Sequence, residues 1–314
     1  STLIKKVHNK YSLTDGISEK IYNKIINQII SNLPNLNEWH SSYILNKFGH
    51  ITWNQAIKEL HRPENIGKYK DNFYQRLAFD EIFSTFLVNS EIRKKIRKVK
   101  KKSKSINIKN QNSIINKLEF TLTKDQNKAL HEINKDLNST NKMFRLLQGD
   151  VGSGKTIVSL IAALNTINSG FQVAFMAPTE ILARQHYNLA KKIFSENKKI
   201  EIISGKSEYK EKKEILKKLE NNKVDIIFGT HAIFQKKVLF KKLGLIIIDE
   251  QHKFGVNQRK KLSDKGGPDC DVLLMTATPI PRTLTMTIYG DMDISIIREK
   301  PKNRKPIKTY SKLE

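Results

Sequence analysis

The feature that most constrains this chain is the stretch Leu147-Gln148-Gly149-Asp150-Val151-Gly152-Ser153-Gly154-Lys155-Thr156, which carries the spacing G-x-x-x-x-G-K-T. Phe144 to Leu147 reads as a short apolar strand, and Thr156 to Leu164 reads as an apolar helix. A glycine-rich turn between such a strand and such a helix aims backbone N–H groups inward at a helix N-terminus, where the dipole favours an anion. Lys155 supplies a point charge for the outer phosphates of a nucleotide, and Thr156 a hydroxyl for Mg²⁺. The expected ligands are ATP and Mg²⁺, held by Gly149, Asp150, Val151, Gly152, Ser153, Gly154, Lys155 and Thr156. A chance match in a chain of this length has a probability on the order of one per cent.

Composition narrows the class further. The 314 residues, 38% of them hydrophobic, suffice for one large domain or two ordinary ones. No run approaches the roughly 18 apolar residues of a membrane span, and Ser1-Thr2-Leu3-Ile4-Lys5-Lys6 lacks the apolar core of a signal peptide, so a cytoplasmic location is expected. With one cysteine, Cys270, an internal disulfide is excluded, as is a Cys-cluster metal site. The formal net charge of +26 invites a nucleic-acid partner, since a basic surface gains affinity for phosphates by releasing counterions. Yet the basic residues are 47 Lys against 10 Arg, spread along a chain rich in Asn and Ile. Such a bias raises charge without building a site.

The first hundred residues read as helical, with amphipathic spacing over 18–31, 54–60 and 73–88, and His61-Arg62-Pro63 as a helix stop. Trp39 and Trp53 are expected in the core rather than as base-stacking platforms. Arg93 to Lys104 is a basic run grading into the Asn-rich stretch 105–117, read as a mobile connector; a solvated helix tail and a nucleic-acid contact both remain open for it. From Leu118 onward strands alternate with helices: strands near 144–148, 172–176, 200–203, 224–228, 245–249 and 272–276, helices near 154–168, 179–197, 207–220 and 281–289. That alternation predicts an α/β fold, a parallel sheet flanked by helices, preceded by a smaller all-helical segment. The expected boundaries are 1–104 for the helical segment, 105–117 for the connector, 118–300 for the α/β domain and 301–314 for the start of a further linker.

Three more groups fall where such a sheet would present them to a ligand. Leu243 to Ile248 is almost wholly apolar and ends in Asp249 and Glu250. Asp249 suits the metal that bridges the phosphates, and Glu250 suits orientation and deprotonation of the attacking water, so Lys155, Asp249 and Glu250 form the catalytic set and Thr156 with Asp249 the Mg²⁺ set. Gln126 lies three residues after Thr123, which reads both as a capping box and as an amide placed to meet an adenine edge. Thr276 and Thr278 follow another apolar strand and stand where hydroxyls can sense a γ-phosphate.

Together these motifs resemble the superfamily 2 helicases. The fuller phrases, Arg145 to Thr156, Met176-Ala177-Pro178-Thr179-Glu180-Ile181-Leu182-Ala183-Arg184-Gln185-His186, Gly229 to Phe234, Ile248 to Val256 and Thr276 to Leu284, look like the RecG branch of that superfamily. Tyr11 to Ser18 and Arg76 to Glu81 are similar to the helical segment that follows the DNA-binding wedge domain there. The transcription-repair coupling helicases share much of the pattern but usually carry Glu where this chain has Gln251.

The resemblance implies a RecA-like motor fold and ATP-powered remodelling of branched or forked DNA, through fork reversal and Holliday junction migration in repair and recombination. It implies a DNA track lined by Pro178, Thr179, Glu180, Arg184, Thr230 and His231, with Gln251, His252, Thr276 and Thr278 coupling that track to ATP. A monomer in the bacterial cytoplasm, associated with the nucleoid, is expected, as is a fragment lacking the wedge and the second motor domain and therefore weak in ATP hydrolysis by itself. A translocase of the transcription-repair type and a nucleotide-gated DNA-binding module without motor activity are the alternatives.

Overall fold

The computed structural model describes residues 10–13, 15–61, 70–194, 196–205, 209–235, 237–250, 266–278 and 292–301. The chain divides into two units, Ser1–Val88 and Asn89–Glu314, with the boundary inside one long helix. In the first unit, α1 (Glu19–Ser31) begins at Ser18, whose hydroxyl accepts from the Ile21 N–H at 3.4 Å. It is followed by α2 (Ser42–Asn46), α3 (Trp53–His61) and the start of α4 (Lys70–Lys98). The α3 helix ends at His61, where a following Arg-Pro is expected to stop it.

A buried cation organises this unit. Arg76 is fully buried, donates to both carboxylate oxygens of Glu38 at 2.8 and 2.9 Å and to the Ile51 carbonyl at 3.2 Å, and pairs one turn along α4 with Asp80. Burial works against the Glu38 charge, but the Arg76 guanidinium wins and holds the carboxyl below its usual range. Trp39 departs from its expected core position: it is 54% exposed, stacking one face on Phe83 with ring centres 5.5 Å apart. Its apolar body packs while its rim meets solvent, a compromise an amphipathic ring tolerates.

Among its described residues the second unit has seven strands: β1 (Phe144–Gly149), β2 (Gln172–Met176), β3 (Ile200–Ile203), β4 (Ile226–Gly229), β5 (Leu243–Ile248), β6 (Asp271–Thr276) and β7 (Asp293–Ile297). Their order is β3-β4-β2-β5-β6-β1-β7 and every pairing is parallel. Parallel strands need crossovers, and the helices that supply them cover both faces, so β1, β2, β5 and β6 are buried along their whole length. Residues alternate between two cores: Leu147, Phe175 and Ile247 join α6 (Lys124–Asn138) and α7 (Lys155–Asn168), while Leu146, Met176 and Ile246 join α9 (Tyr209–Glu220) on the other face. The α8 helix (Glu180–Ile193) sends Ala190 and Ile193 into the first of these cores. This is the parallel α/β sheet the alternating pattern predicts, in the RecA-like form the family resemblance implies.

The β7 strand and α5 are among the elements that escape the sequence pattern. The β7 strand, Asp-Ile-Ser-Ile-Ile, is a half-buried edge that pairs with β1 from Arg145↔Asp293 to Gly149↔Ile297. The stretch 105–117, expected as a connector, contains α5 (Ile108–Ile115), capped by the Asn107 side chain. Ile114 enters the core, and Gln111 Oε1 accepts from Asn134 Nδ2 at 2.8 Å and Asn165 Nδ2 at 2.9 Å. An amide network of this kind is invisible to periodicity. The helix expected at 281–289 and most of 301–314 lie outside the described residues. Among the described helices none is long and apolar enough to cross a membrane.

The basic run likewise has a role that neither open reading supplied. Lys101 and Lys104 are buried, and both ammonium groups lie 2.6 Å from Asp271 Oδ2 at the N-terminal end of β6. Lys101 also donates to the Asp136 and Leu137 carbonyls closing α6, Lys104 to the Asp269 carbonyl, and the Met143 N–H to Asp271 Oδ1. Burial nonetheless pushes the Lys101 ammonium below the usual lysine range, against the pull of Asp271. Removing one member of such a cluster strands the rest. Asp271→Ala is expected to destabilise the protein by about 3–5 kcal/mol, whereas Lys102→Ala at an exposed position should stay within about 0.5 kcal/mol. Urea unfolding of the two variants checks this, and equal midpoints would refute the role given to the cluster.

Candidate functional site

Because all the described strands run the same way, their C-terminal ends lie along one edge of the sheet, and each candidate motif except the Thr123–Gln126 pair, which opens α6, follows one of them. The loop after β1 bends through Gly152 and Gly154, both at positive φ (77° and 90°), and Gly154 caps α7. A side chain at Gly154 would meet Gln126 Nε2 at 2.2 Å, and one at Gly149 would meet the Ile297 carbonyl oxygen at 2.8 Å. Glycine is required at both positions, by conformation at the first and by the passing β7 backbone at the second. Lys155, the first residue of α7, is largely buried, and its Nζ donates to the Gly149 and Asp150 carbonyls at 2.6 and 3.0 Å.

Asp249 and Glu250 leave β5 on the same edge. Glu250 takes a left-handed backbone (φ 51°), uncommon for a residue with a side chain, and its N–H donates to Asp249 Oδ1 at 3.0 Å. A cleft of about 400 Å³ is lined by Gln126, Val151, Gly152, Gly154, Lys155, Thr156, Asp249 and Glu250, with Phe120, Leu182, His186, Ala277 and Pro301 closing its walls. Burial pulls the Lys155 ammonium below its usual range, while Asp249, Glu250 and Asp150 pull it back up. The lysine and both acids therefore act on one space.

Gln126 is fully buried and its amide is engaged on both ends: Oε1 accepts from the Thr123 N–H at 2.9 Å, completing the capping box, and Nε2 donates to the Ser153 carbonyl at 2.7 Å. Its geometry thus ties α6 to the phosphate loop. Thr276 ends β6, between β1 and β5, and its hydroxyl accepts from the Thr278 N–H at 3.2 Å; the Thr278 carbonyl in turn accepts from Gln148 Nε2 at 3.4 Å. Gln251 and His252 lie outside the described residues.

The other candidates gather where β2 and β4 end side by side, with Met176 opposite Gly229. Thr179 caps α8, accepting from the Leu182 N–H at 3.3 Å, and Glu180 accepts from the Gly205 N–H. Thr179, Arg184 and His231 are exposed; Pro178, Glu180 and Thr230 are half-buried.

Among the cleft residues that sequence reasoning did not single out, one carries a side-chain bond to the acid pair. His186, on the buried face of α8, places Nε2 2.8 Å from Asp249 Oδ2. It shares its face with apolar residues, and a long-range contact across 63 positions leaves no local signal. Beside the cleft, Lys300 places Nζ 3.7 Å from Asp150 Oδ2 of the phosphate loop.

Two measurements test the geometry. Gly154→Ala must strain the backbone and displace Gln126, so nucleotide binding should fall by at least about tenfold with the fold retained by circular dichroism. The second concerns pH. In the free protein Lys155 is depressed below 10.5; a bound triphosphate raises it again, so binding takes up a proton between the free and bound values. Affinity should be flat below that window and fall as pH rises through it. Calorimetric titration in buffers of different ionisation heat would show the proton uptake, and identical heats across buffers would refute it.

The DEAD/DEAH box helicase family model matches residues 123–287. The chain is 40% identical over 308 residues to the ATP-dependent DNA helicase RecG of Borreliella burgdorferi, covering 98% of this chain and 44% of that protein. It is 41% identical to RecG of Thermotoga maritima over 308 residues, covering 98% and 39%. A solved structure of RecG bound to a three-way DNA junction superposes with a TM-score of 0.72 at 39% identity, covering 95% of this chain and 40% of the other. The chain thus spans less than half the length of the relatives it matches. With a family match over more than half of its residues, and the phosphate loop and acid pair facing one cleft, the chain belongs to the DEAD/DEAH box helicases.

Proposed function

We propose that this chain is the ATP-binding motor domain of a DNA helicase that remodels branched or forked DNA, in keeping with its likeness to RecG and to RecG on a three-way junction. The observation that carries the reading is the shared cleft of Lys155, Thr156, Asp249 and Glu250 at the sheet edge. Backbone N–H groups of the loop and the α7 N-terminus receive the phosphates, and Lys155 balances charge on the outer ones. Thr156 and Asp249 offer oxygen donors of the kind that hold Mg²⁺ beside phosphates, and the few protein ligands fit a cation that keeps water and substrate oxygens. When bound, the ion would neutralise charge developing between the β- and γ-phosphates. Glu250, presented by a fixed backbone turn, orients the attacking water and takes its proton.

The DNA track is proposed along the β2 and β4 exits, where Thr179, Arg184 and His231 are exposed and Pro178, Glu180 and Thr230 shape the surface. Thr276 and Thr278, linked through Gln148 to the end of β1, stand between the phosphate loop and the acids and are proposed to couple the two; Gln251 and His252 are assigned the same role. Gln126 is proposed to meet the adenine edge through the amide capacity its two internal bonds leave. The reading places the protein in the bacterial cytoplasm, at the nucleoid, as a monomer.

In the complete native protein, Glu250→Gln should bind nucleotide normally while ATP turnover falls by about 10²–10⁴ and fork regression stops. Arg184→Ala should weaken binding to a three-way junction and lower the slope of log K against log salt by about one. Wild-type fork remodelling by the Glu250→Gln protein would overturn the motor reading.

A further inference from the structure

We infer that His186 is a positioning residue that holds Asp249 in place for the metal and carries engagement of the α8 N-terminus into the nucleotide cleft. The inference deepens the motor reading above and rests on it.

The buried stripe of α8 runs Ala183, His186, Ala190 and Ile193, so a histidine stands where the helix otherwise presents small or aliphatic side chains to the sheet. The alanines bring the helix close, and Phe175 of β2 lies against the imidazole with ring centres 4.8 Å apart. Held this way, Nε2–H donates to Asp249 Oδ2 at 2.8 Å. The other carboxylate oxygen, Oδ1, accepts from the Glu250 N–H at 3.0 Å, and the Asp249 N–H donates to the Met176 carbonyl at 2.9 Å. Both oxygens of the acid and its backbone are thus oriented before any ligand arrives, and Glu250 is oriented with them. A carboxylate that serves a metal through a fixed lone pair depends on such outer partners, whose removal typically costs 10–100-fold in metal affinity.

The same helix begins at the proposed DNA track. Thr179 caps it and Arg184 projects from it, two residues before His186. A helix shifts as a rigid body, so any displacement of α8 by DNA at its first turn moves the imidazole against Asp249, with Phe175 as the sliding surface. That gives the track a direct mechanical line to the metal-side acid, separate from the threonine loop after β6. A plain core histidine would instead affect stability alone.

The test uses the complete protein with two variants. His186→Phe keeps the ring and its packing on Phe175 but removes the donor; His186→Gln restores an N–H donor without the ring. Binding of a fluorescent ATP analogue is titrated against Mg²⁺ without DNA, and the ratio of junction-stimulated to basal ATP turnover is measured separately. His186→Phe is expected to need about tenfold more Mg²⁺ for half-maximal nucleotide binding and to lose most of the stimulation ratio, and His186→Gln to recover both in part. Unchanged Mg²⁺ dependence in His186→Phe, or a Gln variant no better than Phe, overturns the inference. If His186→Phe does not fold, ¹⁵N-histidine spectra of the wild type decide: the His186 Nε2 signal must shift on adding Mg²⁺ with nucleotide and again on adding junction DNA, and a silent signal refutes the role. A wild type with no DNA stimulation would sink the motor reading instead, while the Mg²⁺ titration would still judge His186.

Discussion

An all-parallel sheet buried on both faces is the constraint on which this protein's chemistry depends. Parallel pairing carries the β1–β2, β2–β3 and β3–β4 crossovers through α7, α8 and α9 and leaves the described strands ending on one side. The backbone of β1, β2, β5 and β6 is fully withdrawn from water, so its polar groups are committed to the ladders and its ends are rigid. Fixed strand ends are what let Gly149, Ile248 and Thr276 deliver a phosphate loop, two acids and, through Ala277, the threonine loop to a single cleft. The close approach of Gly149 to the Ile297 carbonyl shows how little freedom the arrangement leaves.

The two edges of the sheet treat charge in opposite ways. At the N-terminal edge Asp271 is enclosed with Lys101 and Lys104, and the surplus ammonium donors are satisfied by the last carbonyls of α6 and by Asp269. That cluster fastens the segment after α4 to the sheet and has no access to a partner. At the C-terminal edge Lys155, Asp249 and Glu250 face an open cleft, where their interaction remains available to a ligand. Two edges of one sheet in a very basic chain thus use their lysines differently, which is why net charge by itself says little about where nucleic acid binds.

The cleft is joined to its surroundings by three side chains acting over long sequence distances. Gln126 ties α6 to the phosphate loop, Gln148 ties β1 to the threonine loop, and His186 ties α8 to the acid. Each bond crosses between elements that the family resemblance treats as separate motifs. The proposed motor depends on such connections, because the energy of phosphate contact has to appear as movement elsewhere.

Much of this is legible in the amino-acid chain alone. The phosphate loop, the acid pair and the threonine pair are marked by local spacing and by the apolar strands that precede them, since glycine conformation and strand burial are written in a few consecutive residues. The capping box at Thr123 and Gln126 is legible for the same reason. The tertiary structure decided what local pattern cannot encode. It packed α5 through an amide network, added β7 as a half-buried edge, buried Lys101 and Lys104 on an acid some 170 positions away, and set His186 against Asp249. Those outcomes depend on which distant groups meet once the sheet has closed, and a charged or polar residue in a one-dimensional pattern carries no sign of the partner that will satisfy it.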